Sequence, residues 1–276
     1  MKIKKKSLVM GILNVTPDSF FDGGKFLKVS DALKQAEEMI KNGADIVDVG
    51  GESTRPGSLS VSAEEEIKRI LPVIKKLRAK NNKIIISVDT NKSEVAEEAL
   101  KAGANIINSL GGFTYDKAMA KVVAKYKVPI IIYHIKGEPR TMQKGEIKYK
   151  NVISEINKFF AEQIKFGLKN GVKKEQFILD PGIGFGKSVE HNLTIIREFK
   201  KFTKWGMPLL VGVSRKSHLG KVLQEKLNLK EVPGPSERLE AGLAETAFAV
   251  LNGANIVRTH DVLENKKFLV LLDELK

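Results

Sequence analysis

The chain has 276 residues, 42% of them hydrophobic, and a formal charge of +14. That is apolar material for one large core, and with no cysteine neither disulfides nor thiolate metal sites are open to it. No apolar run approaches the roughly 20 residues of a membrane span, and scattered lysines without a zinc finger, RNP motif or basic helix point to a soluble enzyme with an anionic substrate rather than a nucleic-acid binder.

The basic start "MKIKKKSLVMGIL" runs into "NVTPDSF" with no small-residue cleavage site. It reads as the entry to a first strand, residues 7–13, in a cytoplasmic protein. Next, "SDALKQAEEMIKNG" sets Ala32, Leu33, Ala36, Met39 and Ile40 on one helical face. "KNGADIVDVG" follows, and "KAGANIINSL" and "LNGANIVRTH" repeat its pattern. In each, a glycine suits a helix C-cap and a β-branched burst suits a strand buried on both faces. Between the first two repeats, Ser62 and Glu65 have capping-box spacing, and Ile67, Ile70, Leu71, Ile74 and Leu77 form an apolar stripe.

The remaining bursts complete a series at 7–13, 45–50, 84–89, 105–109, 129–134, 177–180, 208–213 and 255–259. Helical patterns alternate with them, and no composition break divides residues 1–276. The expectation is an α/β fold, a single-domain (β/α)8 TIM barrel. A doubly wound sheet is the alternative, but it normally carries a glycine-rich turn after the first strand, where this chain has "NVTPDSFFDGG".

"LDPGIGFGKS" ends like a phosphate loop, yet Pro181 occupies the position of that loop's first glycine and has no N–H to offer. Its role must be sought at the barrel's active rim, the C-terminal ends of the strands. Polar residues gather there: Asn14; Glu52, Thr54 and Arg55; Asp89; Asn108; His134; Asp180; Ser214, Arg215, Lys216 and Ser217; Arg258 and His260. Asp89 and Asp180 each follow an apolar run. A buried carboxylate needs a partner, so two in one barrel mouth indicate a ligand rich in N–H donors, or a cation. His134 reads as a packed strand-end group. Lys187 reads as solvated, with contact to a pocket edge as the alternative, and His191 and His218 read as helix-surface residues. The long loops after the first, second, fifth and seventh strands are candidate lids.

The segments "MGILNVTPDSFFDGG", "DIVDVGGESTRPGS", "SVDT", "ANIINS", "GEPRTMQ", "LDPGIGFGKS", "GVSRKS" and "ANIVRTHDV" together resemble the dihydropteroate synthases of the pterin-binding barrel family. The resemblance spans nearly the whole chain. It implies attack of p-aminobenzoate on a dihydropterin CH2-diphosphate, with pyrophosphate leaving, a step in folate synthesis. It implies pterin contacts at Thr54, Asp89, Asn108, Asp180 and Lys216. It puts the diphosphate at Asn14, Arg55, Ser217, Arg258 and His260, with Mg2+ held by Asn14. It puts p-aminobenzoate at Phe20, Thr54, Pro56, Phe185 and Ser214, and Asp22 in a closing loop with Arg55. Asp89, Asp180, Lys216, Arg258 and His260 carry the catalytic roles, and a homodimer is expected through late helices.

Two departures stand out. "YHIKG" replaces the family's usual Met-His-Met-Gln and adds Lys136. "INSL" puts Ser109 where an aspartate usually follows the asparagine, which questions what backs Asn108. A pterin-dependent methyltransferase shares the barrel and the two aspartates, but does not need Lys216 or the Arg258–His260 pair. A non-catalytic basic barrel bound to nucleic acid would not need buried carboxylates.

Overall fold

The computed structural model describes residues 6–16, 25–53, 60–143 and 145–275, with backbone alone for 25–28. The strands are β1 (Leu8–Asn14), β2 (Ile46–Gly50), β3 (Ile85–Asp89), β4 (Ile106–Leu110), β5 (Ile130–Tyr133), β6 (Phe177–Asp180), β7 (Leu210–Val211) and β8 (Ile256–Thr259). All pair in parallel, in the order β6-β5-β4-β3-β2-β1-β8-β7. A parallel bridge between Leu179 and Leu209 joins the two ends and closes the barrel. The ladder of β7 is shorter than the burst at 208–213. Its start is Pro208, whose carbonyl accepts the Leu179 N–H but which has no N–H of its own to give.

The helices of the described residues are α1 (Lys25–Lys41), α2 (Ala63–Lys80), α3 (Ser93–Lys101), α4 (Met119–Tyr126), α5 (Val152–Lys169), α6 (Val189–Arg197), α7 (Ser217–Lys226), α8 (Leu239–Leu251) and α9 (Val262–Glu274). The Ser62 side chain accepts the Glu65 N–H and caps α2, as its spacing predicts. The three repeats turn from helix to strand as expected: Gly43, Gly103 and Gly253 have φ of 96°, 110° and 108°, which a side chain tolerates poorly. The polar residue two places on has a further job. Asp45, Asn105 and Asn255 accept the backbone N–H of Val9, Ile86 and Leu209 on neighbouring strands. Each repeat thus ends a helix and satisfies an adjacent strand start.

Side chains alternate along the strands. One set packs outward under the helices: Phe177 of β6 is fully buried there, as are Phe160 of α5 and Phe199 and Phe202 of the helical turn between α6 and β7. The other fills the barrel, where Met10, Ile46, Ile106, Ile131, Ile178, Leu210 and Ile256 form an apolar floor. One step further along the strands the inward residues become polar, and that change of layer creates the site.

Candidate active site

Above the floor, Asp48, Asp89, Asn108, Tyr133, Asp180 and Arg258 follow floor residues at the alternation of β2, β3, β4, β5, β6 and β8. Arg258 binds two carboxylates: its Nε donates to Asp48 Oδ2 and its Nη2 to Asp89 Oδ2, each at 2.7 Å. Asn108 donates to the same Asp48 oxygen at 3.0 Å, and the Tyr133 hydroxyl donates to Asp89 Oδ1 at 3.0 Å. Asp48 is wholly buried, so its charge depends on these partners. Burial raises the Asp89 pKa to about 7, with the Asp48 charge adding to the rise and Arg258 opposing it. Burial also works against the Arg258 charge, but the two carboxylates more than offset it.

The second half of the mouth carries Asp180 and Lys216. Asp180 Oδ1 accepts the Gly182 N–H at 2.7 Å. Burial raises its pKa to about 6, against the pull of that hydrogen bond, Lys216 and Arg258. Lys216 stands at the N-cap of α7, with Nζ 4.0 Å from the centroid of the Phe185 ring. Burial, then Arg258, lower its pKa to about 8. Phe185 lies 5.3 Å from the Tyr133 ring, so an aromatic pair joins the Asp89 end to the Lys216 end. Two carboxylates whose pKa values burial raises toward neutrality and a lysine whose pKa burial lowers, in one concavity, mark a candidate ligand site.

The other expected residues divide. Asn14 closes β1, and Ser217 opens α7 on the exposed side. Ser214 and His260 meet through Oγ and Nδ1 at 3.1 Å, and Arg215 pairs with Asp261 at 2.6 Å. Arg258 and His260 therefore have different neighbours, Arg258 on carboxylates inside the barrel and His260 on Ser214 at the rim. Phe20, Asp22, Thr54, Arg55 and Pro56 lie outside the described residues.

Three expectations about single residues need correction. Lys187 is buried and holds His134 Nδ1 and the carbonyls of Gly182 and Phe185. His218 is buried too, with Nε2 on the Glu245 carboxylate of α8. His191 is half-buried: it completes the capping box of α6 and sets its ring edge-on to Tyr149. His134 is a packed strand-end group, as the sequence suggests. The departures also resolve. Asp48, not the residue after Asn108, backs that amide, and the Ser109 hydroxyl turns to the Gly112 carbonyl. Lys136 pairs with Glu155 at 2.8 Å rather than facing the mouth alone. Asp48 and Tyr133 were missed among the site residues, although a mid-strand aspartate in "IVDVG" is a signal that a buried partner exists.

Against known proteins, the pterin-binding enzyme family matches residues 10–260. A Synechocystis sp. dihydropteroate synthase is 46% identical over 258 residues, covering 94% of this chain and 86% of the relative. The structure of a Clostridium difficile dihydropteroate synthase determined in the presence of pteroic acid superposes with a TM-score of 0.90 at 43% identity, covering 100% of this chain and 98% of that one. A Xanthomonas albilineans dihydropteroate synthase, solved with 4-aminobenzoic acid, gives a TM-score of 0.87 at 35% identity, with 98% and 93% covered. The chain belongs to the pterin-binding enzyme family and, within it, to the dihydropteroate synthases of folate synthesis.

Proposed function

We propose that the mouth of this barrel joins (7,8-dihydropterin-6-yl)methyl diphosphate to p-aminobenzoate, with Asp89, Asn108, Asp180 and Lys216 holding the pterin. The observation that carries the assignment is one mouth in which Asp89 is paired with Arg258 at 2.7 Å and buried Asp180 lies within the electrostatic influence of Lys216. A pterin edge presents N–H donors to carboxylates and acceptors to an ammonium and an amide. The C–O bond to the diphosphate breaks first, and its electron pair leaves with the oxygen. The pterin ring supplies electrons to the CH2 carbon, and Asp89 and Asp180 stabilise the positive charge that develops. The neutral arylamine then forms the C–N bond and releases a proton to solvent, so no base–nucleophile pair is required.

On this reading Ser217, His260 and Arg55 take the diphosphate, and Arg258 serves both ends, as partner of Asp89 and as a cation for the leaving group. Phe185, Ser214, Phe20, Thr54 and Pro56 surround p-aminobenzoate, and Thr54 also borders the pterin. Mg2+ fits one protein position. Among the described residues no cluster of three acids or histidines could cage it. Asn14 ends β1 and offers an uncharged amide oxygen, a hard donor of the kind Mg2+ takes. Mg2+ that keeps its waters and leans on substrate phosphates needs little more; when bound, it would neutralise charge on the departing diphosphate.

The finer setting is a cytoplasmic homodimer. It is supported by a helical face on which Phe248 and Leu251 of α8 and Val270 and Leu271 of α9 are exposed; no described helix is long and apolar enough to cross a membrane. The test supplies the pterin diphosphate, p-aminobenzoate and Mg2+ and follows pyrophosphate. Steady release that requires p-aminobenzoate is expected; release at the same rate without it contradicts the assignment.

A further inference from the structure

The Gly-Lys-Ser ending of "LDPGIGFGKS" has no part in the chemistry above, yet its lysine is buried, which holds its pKa well below the usual value, and its nitrogen is surrounded by polar partners. Lys187 is 2% exposed. Its Nζ lies 2.9 Å from His134 Nδ1, 2.8 Å from the Gly182 carbonyl and 3.0 Å from the Phe185 carbonyl. The His134 carbonyl is a fourth, longer contact at 3.4 Å, so the three protons an ammonium can give all have acceptors. His134, in turn, is buried, and burial and then the Lys187 charge hold its pKa well below the usual value. The imidazole therefore stays neutral and accepts.

The loop that Lys187 grips has little freedom to sit elsewhere. Gly182 and Gly186 have φ of 71° and 61°, and a Cβ on them would come within 1.8 Å of the His134 carbonyl and 2.0 Å of the Lys136 carbonyl. The turn is pressed against the exit of β5. Every carbonyl from Gly184 to Gly186 is held by a side chain: Gln143 donates to Gly184, Lys187 to Phe185 and the Tyr149 hydroxyl to Gly186. The Gly184 N–H goes to Asn192. Between these anchors the Phe185 ring projects, flanked by Tyr133 at 5.3 Å and by Lys216 Nζ at 4.0 Å.

We infer that Lys187 is a positioning residue: by binding the carbonyls on either side of the turn and the ring of His134, it fixes Phe185 and, through it, Lys216. It touches no reacting atom. The inference rests on the reading that Phe185 and Lys216 line the substrate site. The lysine of the apparent phosphate loop thus turns inward and braces the wall of the proposed p-aminobenzoate pocket. Displacing that wall would misplace the arylamine against the CH2 carbon, and misplacement of about 1 Å can cost as much as 10²-fold in rate.

The experiment compares Lys187→Met with Phe185→Ala and wild type in thermal melts and in steady-state kinetics with each substrate varied. Phe185→Ala is expected to raise KM for p-aminobenzoate about tenfold. If it does not, the site reading fails and this inference fails with it. Given that rise, Lys187→Met is expected to reproduce the pattern in folded protein, with KM for p-aminobenzoate rising more than KM for the pterin diphosphate. A Lys187→Met protein that melts earlier but keeps wild-type KM values overturns the inference, because the lysine is then merely structural. Should Lys187→Met not fold, Gln143→Ala decides. It removes the exposed anchor of the same turn and leaves the buried cluster whole. A selective rise of about threefold in KM for p-aminobenzoate supports the inference, and an unchanged value overturns it.

Discussion

Asp48 and Asp89 lie on either side of one guanidinium, and this arrangement changes what Arg258 is expected to do. From sequence, Arg258 belongs with His260 on the diphosphate. In the fold it also neutralises the carboxylate proposed to hold the pterin. Arg258→Ala would leave two carboxylates unpaired, and a stranded buried charge is costly. The expected outcome is weaker binding of the bare pterin as well as of its diphosphate, read by calorimetry with both ligands. Loss confined to the diphosphate would separate the arginine from the pterin end. The pairing of Arg258 with two carboxylates was not legible because Asp48 sits inside an apolar run, and only the barrel's curvature brings β2 and β8 to either side of β1.

Protonation gives a second prediction at this scale. Asp180 has its folded pKa raised from 3.8 to about 6 by burial. Between those values the folded state binds more protons than the unfolded state, so this group lowers stability as pH rises through the window. Asp180→Asn removes that dependence. The melting temperature of the variant relative to wild type is expected to rise by a few degrees between pH 4 and pH 7; a flat difference contradicts the assignment. Function runs the opposite way. On protonation Asp89 and Asp180 lose their charge and turn one acceptor oxygen into a donor, which weakens their grip on pterin N–H groups, so kcat/KM for the pterin diphosphate should fall on the acid side of about pH 7.

Among the elements, helices and strands were largely legible because they are local. The capping of α2 by Ser62 is an example, and Ser62→Ala is expected to cost about 1 kcal/mol, measured by denaturant unfolding. For the turn from Asp180 to Lys187, the sequence excluded a phosphate loop and the resemblance gave Asp180 and Phe185 their expected roles, but the anchoring of the turn was not legible. Pro181 excluded one reading, but nothing near it in sequence announces that His134 and Tyr149 would meet it from β5 and the segment beyond. Lys187 looked solvated for the same reason: its acceptors include a residue 53 positions away. His218 likewise finds Glu245 27 positions away. Gly182→Ala tests the turn directly. A Cβ 1.8 Å from the His134 carbonyl cannot be accommodated without moving β5 or the loop. A stability loss of about 3 kcal/mol or more is expected, with loss of pterin binding.

Across the whole molecule, the repeated Gly-Ala-Asp/Asn signal made the barrel readable, since each copy marks a helix end and a strand start. Closure and inward-facing chemistry were not local. They follow from eight strands meeting edge to edge, which turns alternate positions into one polar layer over an apolar floor. Assembly belongs to this scale as well. On the homodimer proposed above, Leu251→Glu or Leu271→Glu, at exposed positions of α8 and α9, is expected to shift the sedimentation toward monomer; wild type sedimenting as a monomer contradicts that proposal.

The most direct measurement is calorimetric titration of a pterin lacking its diphosphate into Asp180→Ala and wild type, both shown to be folded by their melts. If acidic side chains in the barrel mouth grip the pterin edge, truncation leaves donors of the ring without acceptors, and affinity falls by about 10²-fold or more. Wild-type affinity in the folded variant would mean that the ring binds elsewhere.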